Sequence, residues 1–234
     1  MYLVNGVPGN AISPSDRGFH YGDGLFETIG VLNGRARFFR YHMERLVDGC
    51  ERLGLPAPEP DVIGSEVQRV TSGTGRAAVK VILTRGEGRR GYRPPSRPNC
   101  TRVVISYDWP PIPDARRQAG ALLTICKTRI SRNVTLAGVK HLNRLEQVMA
   151  RGEWKDDSID DGLMMDEHGN VIETTRANLF IVRGGTLLTP SLSHAGISGV
   201  MRRVVIALAD KLGIETRERQ LALDHVLSAD EIFV

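Results

Sequence analysis

Cysteine is scarce in this chain of 234 residues: Cys50, Cys100 and Cys126 are the only three. An odd number without paired spacing argues against a disulfide framework and against a cysteine-based zinc site. His141 and His168 lack partners at metal-ligand spacing, so no metal is expected. Aromatic residues make up 6% of the chain, and the formal net charge is only +4. The densest basic stretches are the run from Arg85 to Arg93 and the pair Arg116 and Arg117. A nucleic-acid-binding protein concentrates its charge on one element with aromatics between. Solvated arginines with some anion contacts fit this pattern better, and no nucleic-acid partner is expected. No apolar stretch approaches the length of a membrane span. The first residues show no charged segment leading into an apolar core, so no signal peptide is expected. A soluble cytoplasmic protein with no membrane partner follows as the expectation.

What is present is an ordinary globular composition, 41% hydrophobic and 25% charged, enough for a buried core. The length suits one large domain or two small ones. Met1 to Asn5 reads as a strand turned at Gly6, and Leu25 to Val31 as another. Asn33-Gly34 is a strong hairpin signal. Met43, Leu46, Val47, Cys50 and Leu53 recur at helical spacing, so a helix is predicted over 42–53, stopped by Gly54. A second helix is predicted over 61–70, and paired strands over 77–84 and 101–107.

Three prolines within Asp108-Trp-Pro-Pro-Ile-Pro113 fix φ and remove backbone donors, which reads as a linker. The expected organisation is an N-terminal α/β domain over 1–107, a linker over 108–115 and a C-terminal domain over 116–234. Beyond the linker, a strand is predicted over 120–127 and a helix over 143–154 with Leu145, Val148 and Met149 inward. Residues 162–165, 171–174, 178–182 and 186–189 look like a meander. A helix over 199–212 and a strand over 215–220 follow. Strands and helices do not alternate one for one, so the class is α+β rather than a doubly wound parallel sheet.

Several residues could carry chemistry. Lys140 sits in Leu136-Ala-Gly-Val-Lys-His-Leu-Asn143, where small and apolar neighbours would desolvate an amine and lower its pKa; equally, a lone lysine before a helix is commonly a surface residue. Glu173 ends an apolar strand, where a carboxylate can hold a pyridine nitrogen protonated or simply face water or Arg176. Gly196-Ile-Ser-Gly199 opens a helix and suits a phosphate, although Ser198 also reads as a plain helix cap. Arg45 could supply a matching cation or be one more exposed helical arginine. The run Arg85-Gly-Glu-Gly-Arg-Arg-Gly-Tyr92 lacks dinucleotide-fingerprint spacing. It reads as a mobile guanidinium-rich loop fit for a carboxylate.

Taken together, these stretches resemble the class-IV aminotransferase family, the fold-type IV pyridoxal-phosphate enzymes. The resemblance rests on Asp16-Arg-Gly-Phe-His-Tyr-Gly-Asp-Gly-Leu-Phe-Glu-Thr28, His42-Met-Glu-Arg-Leu46, Arg85 to Tyr92, Ala137 to Val148, Glu173 to Phe180 and Gly196 to Arg202. It implies a two-domain fold with mixed and antiparallel sheets, an active site in the cleft between the domains, and pyridoxal 5′-phosphate as cofactor. It further implies that Lys140 forms the Schiff base and later acts as general base, and that Glu173 pairs with the pyridinium. Arg45, with the backbone and hydroxyl of Ile197 and Ser198, would hold the phosphate, and Asn178 would support the cofactor. Arg85, Arg89 or Arg90, with Tyr92 at the end of the loop, would meet a substrate carboxylate. Such loops often serve the neighbouring subunit's site in this family, which implies a homodimer.

Thr28 and the segment Ala137 to Arg144 look like those of the family's lyase branch, where the threonine is thought to aid proton transfer. That implies release of pyruvate and 4-aminobenzoate from a small amino-bearing ring substrate, a step of folate biosynthesis. The runner-up is an aminotransferase for D-amino or branched-chain amino acids; a non-catalytic binding protein on the same fold is the third reading. Family members also continue past the strand that ends here at Val234. The resemblance therefore implies a further segment with an Asn- or Ser-containing loop. A chain truly cut there would expose a strand edge and act poorly, and comparing the intact mass with 25.8 kDa decides between the two.

Overall fold

The structure is a computed structural model, and it describes residues 1–109 and 118–234. The chain divides into two compact units, Met1–Pro111 with Lys140–Asn143, and Ile112–Val139 with Arg144–Val234. From residue 110 onward the expected linker over 108–115 lies outside the described residues. No helix among the described residues is long and apolar enough to cross a membrane.

The first unit is built on a six-stranded antiparallel sheet in the order β2-β1-β6-β5-β3-β4. Its strands are β1 (Tyr2–Val4), β2 (Val7–Pro8), β3 (Gly24–Leu32), β4 (Arg35–Ala36), β5 (Arg76–Thr84) and β6 (Thr101–Asp108). Strand side chains alternate between faces, and the sequence uses this fully. Leu25, Ile29 and Val31 of β3 are buried, as are Ala77, Val79, Val81 and Leu83 of β5. Helix α2 (Phe39–Leu53) packs on β3 and buries Met43, Leu46 and Cys50, while α3 (Pro60–Val70) packs on β6 and buries Ile63, Val67 and Val70. Each such side chain contributes about 1.5–3 kcal/mol on burial. The β3–β4 hairpin turns through Asn33 (φ 49°) and Gly34 (φ 72°), as its sequence predicts, because two successive positive φ values suit the twist of paired strands. Helix α2 begins three residues before its apolar spacing suggests. It follows Phe38 in a left-handed conformation (φ 53°) without a side-chain cap, so no capping residue marks the start.

Strand β4 covers β3 only at Val31 and Leu32. Further along that edge the chain returns. The N–H of Phe26 donates to the carbonyl of Lys140 (3.0 Å), the N–H of Leu142 donates to Gly24 (3.0 Å), and His141 bridges Leu25. This return stretch is why Lys140–Asn143 belongs to the first unit. Arg17–Tyr21 forms the short helix α1, capped by Asp16 and ended by left-handed Gly22.

The second unit holds two four-stranded sheets, β13-β9-β8-β7 and β12-β11-β10-β14. The elements are β7 (Leu123–Ile130), α4 (Leu145–Arg151), β8 (Asp161–Asp166), β9 (Asn170–Thr174), β10 (Phe180–Arg183), β11 (Thr186–Pro190), α5 (Val200–Lys211), β12 (Thr216–Arg219), β13 (Leu221–Ala222), α6 (Leu223–Leu227) and β14 (Glu231–Phe233). The pairs β7–β8 and β11–β12 are parallel. Leu163, Val171, Leu179, Ile181 and Leu221 form a core to which both sheets contribute.

Two expectations change here. The four strands read as one meander split after Thr174: β8 and β9 pair in one sheet, β10 and β11 in the other. Local patterning carries no signal for this exchange. In α4 it is Ala150 that is buried, whereas Leu145, Val148 and Met149 are 75%, 64% and 64% exposed. They do share one helix face as their spacing requires, but that face points away from the core of the unit.

Candidate active site

In the first unit, Lys140 lies opposite Phe26 on β3, so the two side chains share one face of the sheet. The Lys140 amine sits 4.4 Å from the centre of the Phe26 ring. The ring supports the cation while withholding water from it. Thr28 stands two residues along the same face and is exposed. The sequence-predicted pair Lys140 and Thr28 is thus on one surface.

The other face of β3 carries a group that pattern reading passed over. Glu27 is fully buried among Leu25, Ile29 and Val31. His42 Nδ1 lies 2.6 Å from its Oε2, and Arg45 donates to it from Nε at 2.7 Å and from a terminal nitrogen at 2.5 Å. Burial alone would push this carboxyl up. The hydrogen bonds from His42 and Arg45 outweigh it and hold Glu27 below its ordinary value of 4.5. Arg45 is therefore a guanidinium fixed in one plane by a two-point carboxylate clamp, not an exposed helical arginine.

The arginine-rich loop is anchored at both ends. Arg85 is buried, and each of its three nitrogens donates to the protein itself: to Asp23 (2.8 Å), to the Gly54 carbonyl (2.9 Å) and to the Leu53 carbonyl (2.7 Å). The expected substrate role departs from Arg85 for that reason. Arg17 holds the far end of the loop, donating to Asp23 and to the carbonyls of Gly91 and Tyr92 at 2.8, 3.0 and 2.9 Å. Gly86 is required at its position, because φ is +77° and a Cβ would fall 1.8 Å from the Asn99 carbonyl oxygen. Between these clasps Arg89, Arg90 and Tyr92 are exposed.

In the second unit, Glu173 lies one residue before the end of β9 and is 4% exposed. Its Oε2 accepts the Ile197 N–H at 2.9 Å, while Asn178 Nδ2 donates to the Ile197 carbonyl at 2.8 Å. One peptide segment is thus gripped by the predicted acid and the predicted asparagine. Gly199 makes this possible, since a Cβ there would fall 1.8 Å from Asn178 Oδ1. Gly138, just before Lys140, joins the same turn: its N–H donates to Gly196 (2.8 Å) and its carbonyl accepts from Ser198 (3.0 Å).

These bonds engage the two main-chain groups expected at the phosphate. The N–H groups of Ile197 and Ser198 are already spent on Glu173 and Gly138. The helix cap is Gly199, not Ser198, so the first-turn N–H groups that an α-helix leaves without intrahelical acceptors are those of Val200, Met201 and Arg202. Twelve residues of α5 stand behind them. The signal was in the sequence: Gly199, two residues before Met201, is the glycine that starts the helix. Arg144 was also passed over. Burial pulls its guanidinium below the usual range, and the charge of Glu173 opposes that shift.

The first unit thus presents an amine over an aromatic ring, and the second a buried carboxylate and a glycine-cradled helix N-terminus. Residues 24–234 match the family described as amino-transferase class IV. An aminodeoxychorismate lyase from Vibrio harveyi is 33% identical over 234 residues, which is 100% of this chain and 86% of that protein. A crystal structure of 4-amino-4-deoxychorismate lyase from Pseudomonas aeruginosa superposes with a TM-score of 0.95 at 40% identity, covering 100% of this chain and 86% of that one. A putative branched-chain-amino-acid aminotransferase from Methanocaldococcus jannaschii is 32% identical, covering 95% and 78%. This chain therefore belongs to the class-IV aminotransferases, and its cofactor is pyridoxal 5′-phosphate.

Proposed function

We propose that this protein is a lyase that converts 4-amino-4-deoxychorismate into 4-aminobenzoate and pyruvate, the aromatic product serving folate biosynthesis. The observation that carries this reading is a threonine, Thr28, on the same sheet face as Lys140. The likeness to two lyases over the whole chain supports it.

Pyridoxal phosphate, when bound, supplies the electron sink for carbanion chemistry. Lys140 is its attachment point and, once the substrate amine has displaced it, the base that takes the proton from the amine-bearing carbon. The ring C–O bond to the enolpyruvyl group then breaks, and the ring becomes aromatic. The departing enolate needs a proton at its methylene carbon, and Thr28, on the sheet face of Lys140, is the residue proposed to relay it. Glu173 keeps the pyridine nitrogen protonated, and Asn178 fixes the turn beside it. The phosphate is received by the Val200 and Met201 N–H groups at the positive end of α5 and by the clamped Arg45. Arg89 and Arg90 are the loop cations for a substrate carboxylate.

A second reading is favoured by the 32% identical aminotransferase relative. It keeps the same lysine and acid but returns the proton to the cofactor and passes the amino group on. Product analysis separates them. The lyase yields equal amounts of 4-aminobenzoate and pyruvate. Amino transfer to 2-oxoglutarate without an aromatic product would overturn it.

The protein is further proposed to act as a homodimer in the cytoplasm. The exposed apolar face of Leu145, Val148 and Met149 supports the dimer, and three free thiols suit a reducing compartment. Sedimentation should give twice the chain mass for the parent, and Val148→Glu should shift it to the monomer, with activity falling alongside. A parent that sediments as a monomer refutes this.

A further inference from the structure

Glu27 has more partners than an ion pair needs. Its Oε1 accepts from Arg45 Nε at 2.7 Å, and its Oε2 from a terminal nitrogen of Arg45 at 2.5 Å. That fork already engages both oxygens. His42 Nδ1, 2.6 Å from Oε2, is a third partner. Glu27 and His42 are buried, and the Arg45 side chain nearly so. Nothing in the proposed reaction uses His42.

The third bond has a mechanical consequence. An ionised carboxylate only accepts, so His42 carries a proton on Nδ1 and donates it. The last torsion of a glutamate side chain is broad rather than staggered. A guanidinium bonded to both oxygens lies in the carboxylate plane and swings with it. A third donor, arriving from a separate ring, stops that swing. His42 and Arg45 stand three residues apart on α2 and so share one helix face. His42 sits where the helix opens, its N–H donating to the Phe38 carbonyl at 3.1 Å. One turn beyond Arg45, Gly49 lets α2 press onto β3, since a Cβ there would fall 2.9 Å from Leu25 Cδ1. At that spacing a side chain with only two torsions can set the plane of Glu27. An apolar residue would fill the place of His42 without burying polar nitrogens if packing were its only task.

We propose that His42 is a positioning residue for the cofactor phosphate: it fixes the plane of Glu27 and thereby the direction in which the Arg45 guanidinium points. This rests on the reading of Arg45 as a phosphate ligand, and extends it to a side chain that acts only through Glu27.

The test strips the full chain of its cofactor and titrates it with pyridoxal 5′-phosphate and, separately, with pyridoxal, which lacks the phosphate. The ratio of the two dissociation constants reads the phosphate contacts alone, whereas general damage to the fold weakens both ligands. His42→Leu is expected to reduce the preference for the phosphorylated form by about tenfold, the low end of what a hydrogen bond to a charged group contributes. His42→Asn, whose amide nitrogen stands at the same distance from the backbone as Nδ1, should recover most of it. Arg45→Met should lower the preference further, since it removes the phosphate contact itself. An unchanged preference in His42→Leu overturns the proposal. So does an equal loss for both ligands, which would make His42 a packing residue. A His42→Asn variant as weak as His42→Leu overturns it too, because the Nδ1 donor would then play no part. Should His42→Leu not fold, His42→Gln, with its donor one bond further out, takes its place under the same outcomes. An Arg45→Met variant that keeps the parent's preference strikes the phosphate reading of Arg45 itself, and the proposal falls with it.

Discussion

Replacing Lys140 by alanine is expected to lower turnover by about a thousandfold or more, since it removes both an activated amine and a positioned base, and the base alone contributes about 10²–10⁴. The protein should still fold, because Lys140 is half-buried and its place in the sheet is made by backbone bonds that alanine preserves. Borohydride treatment of the parent followed by peptide mapping should mark the peptide that contains Lys140. The structure supplies a rival within reach of the same ring, Lys80. A label on Lys80, or full turnover in Lys140→Ala, would sink the assignment.

The second large effect is on stability. Glu27→Gln keeps the shape but removes the charge that faces Arg45 and His42. Taking one partner from a buried ion pair costs about 3–5 kcal/mol, because the other is left uncompensated, and the Arg45 side chain is only 14% exposed. For a chain of this size that corresponds to a thermal midpoint lower by about 6–20 °C. The exposed Arg40–Glu44 pair on the same helix is the control: Arg40→Ala should leave the midpoint where it is. The pH dependence follows from the direction of the shift. The folded-state value of Glu27 lies below its ordinary 4.5. Its contribution is complete above that ordinary value and is lost as pH falls through the folded one. Asp23, held low by Arg85 and Arg17 against its burial, adds a loss of the same sign. Parent and Glu27→Gln midpoints should therefore converge on acidification below about pH 4.5. Equal midpoints at neutral pH, or a gap that widens in acid, would show that the carboxylate is not ionised in the fold.

The first unit was legible because its signals are local. Alternation in β3 and β5, the Asn33-Gly34 turn and the Gly54 stop each act within a few residues. The second unit was less so. The passage from β9 to β10 changes sheet, and nothing between Thr174 and Phe180 records which partner each strand takes. The α4 error has another source: periodicity tells which residues share a face, not what that face meets, so Leu145, Val148 and Met149 read as core. At the site, residue type singled out Lys140, Glu173 and Asn178, but it carried no sign of what the Ile197 and Ser198 N–H groups bond. Backbone N–H groups have no residue type, and only the bonding of Ile197 and Ser198 shows that theirs are taken. Glu27 was findable: a charged residue at a core position in an alternating strand is an inconsistency that marks a buried partner.

The stretch from Lys140 to Leu142 is stitched to β3 at Gly24, Leu25 and Phe26. On the reaction proposed above, its main chain would hold still while the amine exchanges one partner for the next. Only the torsions of a single flexible side chain change, and the return journey is short and repeatable. The sheet edge works as a tether, so each turnover begins with the base already at its post.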